Sequence, residues 1–213
     1  MSRAQGVDVS HHKPIKDYGA LYDSGVRFVG VKATEGQSYV DPTLRTHRDE
    51  LRRNPFVLII YYHFGRSGDP VRQAERLQDA VGQLRSNERL CLDLEVLPAT
   101  PDLTLQWVDR FYSTLMQDVC SDRRPLIYTS KRIWRTFGDP SWDLALDVDL
   151  WAPRYNLSAE PLVPTPWADR SWMIWQWSDG ETPPFVTPGI GRCDRNYFNG
   201  DDQALERYAR LTP

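Results

Sequence analysis

The feature that most constrains this chain is its alternation of two hydrophobic periods. Short β-type runs such as Arg27–Ala33 and Phe56–Tyr62 take turns with stretches whose apolar residues recur at helical spacing, such as 70–84 and 102–120. Phe56–Tyr62 is apolar throughout, the pattern of a strand buried on both faces in a parallel sheet. Repeated strand, helix and strand predict parallel βαβ units. Further strands are predicted at 6–10, 89–96, 124–129, 149–152, 173–177 and about 191–194. Up to eight parallel strands in 213 residues predict a barrel rather than an open sheet. The remaining helices are expected at 18–24, closing at Gly25, from Asp41-Pro42-Thr43 through Arg53 with proline just inside the start, and at 201–210. After Phe137 helices become short or missing, and a proline-rich stretch at 155–167 replaces one. The expectation is therefore an α/β fold, a modified TIM-like β/α barrel of about eight strands. Residues 1–213 read as a single domain, with no repeat, low-complexity tract or linker.

Composition narrows the function classes. The hydrophobic share of 40% and charged share of 26% are those of an ordinary globular protein. A net charge of -3 offers no electrostatic case for a nucleic-acid partner. The cysteines, Cys91, Cys120 and Cys193, are too few and scattered for a disulfide framework or metal knuckle, although one pair stays open. The histidines lack zinc spacing, so neither metal nor cofactor is expected. No apolar span would insert in a membrane, and residues 1–6 run straight into a strand without a signal-peptide pattern. The reading is a monomer that, to work outside the cytoplasm, must be released by some other agent. Its 8 Trp and 10 Tyr suit stacking on sugar rings as well as packing a core.

The chemistry concentrates in Arg89-Leu90-Cys91-Leu92-Asp93-Leu94-Glu95-Val96. Strand alternation places Leu90, Leu92, Leu94 and Val96 on one face and Cys91, Asp93 and Glu95 on the other. Two neighbouring carboxyls push one pKa upward, which keeps a general acid protonated. Solvated acids on an edge strand would show the same pattern. The ends of the other strands decide between these readings, because a parallel barrel collects reactive residues at its carboxyl-end mouth. Asp8, Lys32, Glu35, Tyr62, His63, Asp93, Glu95, Tyr128, Trp151, Gln176 and Asp194 all fall at such ends, whereas solvated charges would fall equally at strand starts. Glu95 and Asp93 are thus the candidate reactive pair. Asp8, Asp194, Tyr62, Lys32, Tyr128, Trp151 and Gln176 are candidate groove residues. Lys32 either neutralises the acids or snorkels from the barrel end, Glu35 reads as its structural partner, and His63 reads as a satisfied barrel-mouth histidine. Trp151, Trp175 and Trp177 alternate by pleat with Gln176, so at most some of the indoles reach the groove.

These pieces, together with Gly6-Val7-Asp8-Val9-Ser10, Val31-Lys32-Ala33-Thr34-Glu35-Gly36, Tyr62-His63-Phe64, Leu92-Asp93-Leu94-Glu95, Ile127-Tyr128-Thr129, Trp151-Ala152-Pro153-Arg154-Tyr155, Trp175-Gln176-Trp177-Ser178 and Asp194-Arg195-Asn196-Tyr197-Phe198, run in an order that resembles the glycoside hydrolase family 25 muramidases, also called Chalaropsis-type lysozymes. The resemblance implies a barrel with incomplete later helices. It also implies cleavage of the β-1,4 bond between N-acetylmuramic acid and N-acetylglucosamine, with cell-wall peptidoglycan as partner. Under it Glu95 is the general acid, Asp93 contacts the substrate acetamido group, Asp8 and Asp194 match two further groove acids, and Tyr62 matches the aromatic beside the scissile sugar. A 2-acetamido group supplies its own nucleophile when an Asp orients it, which favours substrate assistance, while retention or inversion stays open. The implied setting is the cell wall, reached as a phage or bacterial lysin or by a non-classical route.

The chain departs from the family pattern at His11-His12-Lys13, where an aromatic and Gln-Gly are usual. It also departs at Asn54-Pro55-Phe56, which lacks a glycine-rich approach, and at Cys193 beside Asp194. Two other classes compete: a non-catalytic peptidoglycan-binding module, against which the four acids argue, and a chitinase or endo-N-acetylglucosaminidase. The second would extend its motif upstream with aspartates, where this chain has Arg89 and Cys91.

Overall fold

The computed structural model describes residues 2–96, 101–118, 123–156, 158–182 and 184–210, with only the backbone for 101–103 and 118. In chain order the elements are β1 (Gln5–Val9), α1 (Tyr18–Asp23), β2 (Val26–Glu35), β3 (Tyr39–Val40), α2 (Leu44–Leu51), β4 (Leu58–Phe64), α3 (Pro70–Val81), β5 (Glu88–Asp93), α4 (Pro101–Asp118), β6 (Leu126–Tyr128) and α5 (Lys131–Thr136). They continue with β7 (Asp149–Pro153), β8 (Ile174–Ser178), β9 (Val186–Thr187), β10 (Gly191–Arg192), β11 (Asp194–Phe198) and α6 (Asp202–Arg210). Eight strands close a barrel in the order β1, β2, β4, β5, β6, β7, β8 and β11, with β3 as a short outlier on β2. As expected, helices fail between α5 and β8: among the described residues only two single 3-10 turns, Asp143–Leu146 and Thr165–Trp167, flank β7 there.

Pleating sorts the walls. Phe28, Leu58, Ile60, Cys91, Leu126 and Trp151 fill the barrel interior. Val29, Val31, Ile59, Tyr61, Leu90 and Leu92 face outward and belong to the larger core shared with the helices, including Leu77, Val108 and Phe111. Gly30 makes room inside, because a Cβ there would lie 2.7 Å from the Trp151 ring and 2.9 Å from the Cβ of Asp8. Helix α6 packs Leu205 and Ala209 into the interior cluster. The Arg89 guanidinium ties it down by donating to the carbonyls of Tyr208 and Ala209 at 3.1 and 3.3 Å.

Helix ends follow local chemistry. Asp69 caps α3 by accepting from Val71 N at 3.0 Å, with Pro70 in the first turn, and the helix stops at Gly82, whose φ of 67° suits glycine, rather than running to residue 84. Asp41 takes the backbone and hydroxyl of Thr43 at 2.9 and 2.6 Å, so α2 begins only at Leu44.

Two expectations are corrected. The last barrel strand is not a parallel one at 191–194: Gly191–Arg192 pairs with Val186–Thr187 in a separate hairpin, and β11 runs antiparallel to both β8 and β1. The chain returns from β8 through that hairpin without a crossover helix, and only an antiparallel neighbour accepts such a return. Asp194 still reaches the mouth, as the first residue of a reversed strand rather than the last of a parallel one. The acidic strand is also shorter than its alternation suggests. β5 ends at Asp93; Leu94 stays buried, donating its N–H to the Tyr128 carbonyl at 2.8 Å, but Val96 is 56% exposed instead of sharing the leucine face. Cys91 and Cys193 are free and buried, and Cys120 lies outside the described residues. No described helix is long and apolar enough to cross a membrane.

Candidate active site

The carboxyl ends of the parallel strands and the start of β11 surround a cavity of about 170 Å³. It is lined by Asp8, Tyr62, Asp93, Glu95, Tyr128, Trp151, Tyr155, Gln176 and Asp194. Every candidate residue drawn from the sequence is here except Lys32. The Lys32 ammonium instead pairs with Glu35 at 2.6 Å and lies over the Phe64 ring, and Glu35 also binds Arg66 at 2.7 Å. Glu35 is thus the structural partner expected of it.

Asp8 is the most fully held of the acids. One carboxylate oxygen accepts from the side-chain amides of Asn196 at 2.7 Å and Gln176 at 3.0 Å. Each amide is oriented in turn: Gln176 accepts from the Tyr128 hydroxyl at 2.8 Å, and Asn196 accepts from the Trp151 indole N–H at 2.8 Å. Tyr62 donates to the Val9 carbonyl at 3.2 Å, which fixes its ring beside the acids. Asp93 is buried, and its Oδ1 has no hydrogen-bond partner. Glu95, two residues on and beyond the end of β5, stands exposed at the rim of the same cavity.

Electrostatics follow from four carboxyls sharing one mouth. Burial, then the charges of Glu95 and Asp8, push Asp93 well above the usual carboxylate range. Burial raises Asp8 too, against its hydrogen bonds from Asn196 and Gln176. Asp194, the register partner of Asp8 across the β1–β11 pair, is pushed up to about 8 by burial and then by Asp8. Glu95 is raised by desolvation and by the charge of Asp8. The expectation that Glu95 alone would carry the raised pKa therefore gives way to a shared rise, strongest where burial is deepest.

His63 is satisfied, but not at the mouth. It faces the helical layer, bonded to Thr34 Oγ1 at 2.8 Å and Gln73 Oε1 at 2.9 Å, with its ring against Phe111 and its pKa driven down to about 4 by burial. Trp175 and Trp177 pack in the outer core, leaving Trp151 as the indole that reaches the cavity. The unusual His11 fastens its loop to Asp41 at 2.8 Å.

Asn196 and Tyr155 belong to the site but were not among the candidates. A parallel last strand ending at residue 194 leaves Asn196 outside it; an antiparallel β11 puts Asp194, Asn196 and Phe198 on the inner face by simple alternation. That alternation was the available signal. Tyr155 lies in the loop after β7, where no periodicity orients a side chain.

A closed barrel whose mouth gathers four carboxyls beside aromatic rings is an arrangement suited to a glycoside hydrolase. Residues 7–184 match the family model described as glycosyl hydrolases family 25, and the chain belongs to that family. Lysozyme M1 of Streptomyces globisporus is 28% identical over 99% of this chain and 73% of its own length. The N,O-diacetylmuramidase of Chalaropsis is 26% identical over 96% and 98%. The autolytic lysozyme of Clostridium acetobutylicum is 29% identical over 82% of this chain, which spans only half of that protein. Among solved structures, the bacterial lysozyme of Streptomyces coelicolor superposes with a TM-score of 0.86 at 25% identity, covering 99% and 98% of the two chains.

Proposed function

We propose that this chain is an N-acetylmuramidase of bacterial cell-wall peptidoglycan, cleaving the β-1,4 bond between N-acetylmuramic acid and N-acetylglucosamine at the wall. The observation that carries the reading is the pairing of a rim carboxyl, Glu95, with a buried one, Asp93, in the wall of the same cavity. Glu95, its pKa raised by desolvation and by the charge of Asp8, gives its proton to the departing glycosidic oxygen. The Asp93 carboxyl accepts the N–H of the 2-acetamido group. The acetamido carbonyl oxygen then attacks the anomeric carbon as the bond to the leaving sugar breaks. Water, deprotonated by Glu95, opens the resulting ring. The lysozyme and muramidase names of the family relatives support the muramidase reading.

The test is loss of turbidity of purified bacterial walls, with the new reducing ends identified. Wild type should release muramic ends, and Glu95→Gln should be slower by roughly 10²–10⁴-fold. Equal lysis by the two proteins sinks the assignment of Glu95. Reducing N-acetylglucosamine ends sink the bond specificity, and walls bound without lysis indicate a binding module.

A further inference from the structure

A second cavity of about 470 Å³ opens beside the first, lined by Glu95, Ser130, Arg132, Ile133, Pro153, Arg154 and Tyr155. The two share Glu95 and Tyr155, so the second cavity lies within reach of substituents on a glycan bound in the first. Their charges are opposite in kind. The first holds four carboxyls and no cation, whereas the second holds two guanidinium groups and only the shared Glu95 as an acid. Arg154 donates one N–H to the Glu160 carbonyl at 2.6 Å and forms no ion pair among the described residues. Arg132 is exposed on α5 and has neither a hydrogen bond nor an ion pair among the described residues. Of the nearby lysines, Lys32 is held by Glu35, and Lys13, whose charge acts on Asp8 and Asp194, donates to the Asp179 carbonyl at 3.0 Å.

We propose that this cavity, through Arg132 with Arg154 behind it, binds a carboxylate carried by the glycan, and so makes Arg132 a specificity residue for acidic sugars. The inference rests on the muramidase reading, since muramic acid is the sugar that bears such a group. Its lactyl ether ends in a carboxyl that is either free or extended into a peptide with carboxylates of its own. A planar guanidinium suits either, by paired N–H donation.

Calorimetric titration of the Glu95→Gln chain, with and without Arg132→Gln, tests the proposal on three tetrasaccharide probes. One is an alternating N-acetylglucosamine and N-acetylmuramic acid glycan with free lactyl groups, one is the same glycan bearing peptides, and one is built of N-acetylglucosamine alone. Arg132→Gln should weaken binding of a carboxylate-bearing probe about tenfold and leave the neutral probe unchanged. Arg132→Lys should recover part of the loss, as a point charge without the fork. A loss confined to the free lactyl probe assigns the lactyl carboxylate, and a loss on the peptide-bearing probe assigns the stem. Equal affinities with and without Arg132, an equal loss on all three probes, or no binding of either acidic probe overturns the proposal. Wall lysis by wild type together with unchanged affinities would sink this inference alone. An Arg132-dependent affinity without lysis would sink the cleavage reading alone.

Discussion

At the scale of single residues, the site is a problem of protons. Asp194 titrates near 3.8 when unfolded and at about 8 in the folded chain, so between those values the native state holds a proton that the unfolded state has lost. Stability must then fall as pH rises through that window. Asp8 and Asp93 are raised as well and act with the same sign. His63 acts oppositely below 6.5, because its folded value is about 4 and stability is lost as pH falls through that range. Between about 6.5 and 8 the acids are opposed by neither that histidine nor the ordinary carboxylates. We therefore expect the midpoint of thermal unfolding to drop across this interval in wild type and to drop less in Asp194→Asn. Parallel slopes for the two proteins would show that the mouth does not hold this proton. The identities of these acids were legible from their position after β-type runs. Their shared rise was not, because it depends first on burial in the closed mouth and then on charges brought together by the fold, as where Asp8 meets Asp194 in register, 186 residues apart in the chain.

At the scale of elements, β5 is anchored at the end opposite the chemistry. Glu88, fully buried at its start, accepts two hydrogen bonds from Arg52 at 2.7 Å each, one from the Tyr61 hydroxyl at 3.0 Å and one from Arg85 N at 2.8 Å. This ties the loop after α2 to β4 and β5, and although burial alone would raise Glu88, these donors and the Arg52 charge hold it below the usual carboxylate range. Arg52→Ala leaves a buried charge without its cation, which should cost about 3–5 kcal/mol. Urea unfolding measures it, and a loss under about 1 kcal/mol would mean that the pair is screened as a surface bridge is. The sequence pattern located β5 and its leucine face correctly, since Leu90 and Leu92 pack outward and Cys91 inward. It overran the end of the strand, because alternation of Leu94, Glu95 and Val96 continues after the hydrogen-bond ladder to β6 has stopped at Asp93.

At the scale of the whole molecule, the barrel is closed at one end by α6 and open at the other for the glycan. Leu205 and Ala209 plug the interior, and the Tyr208 hydroxyl donates to Asp149 at 2.9 Å at the foot of β7. A chain ending at Gly200 exposes that floor. We expect it to keep far-ultraviolet circular dichroism, lose the near-ultraviolet signal of its tryptophans and bind a hydrophobic dye. A sharp, native-like melt from the shortened chain would refute a structural role for the plug.

By itself the sequence determined the alternation of strand and helix, the barrel, the loss of helices after α5 and the acids that meet at its mouth. These follow from periodicity and from the rule that parallel strands end on one side, both properties readable over a few residues at a time. Tertiary structure alone decided that the closing strand runs backward, that Asn196 joins the site through it, that Lys32 stays out of the cavity, and that Glu95 stands clear of the pleat. Each of these turns on a partner brought in by the path of the chain between strands, and hydrophobic period carries no record of that path.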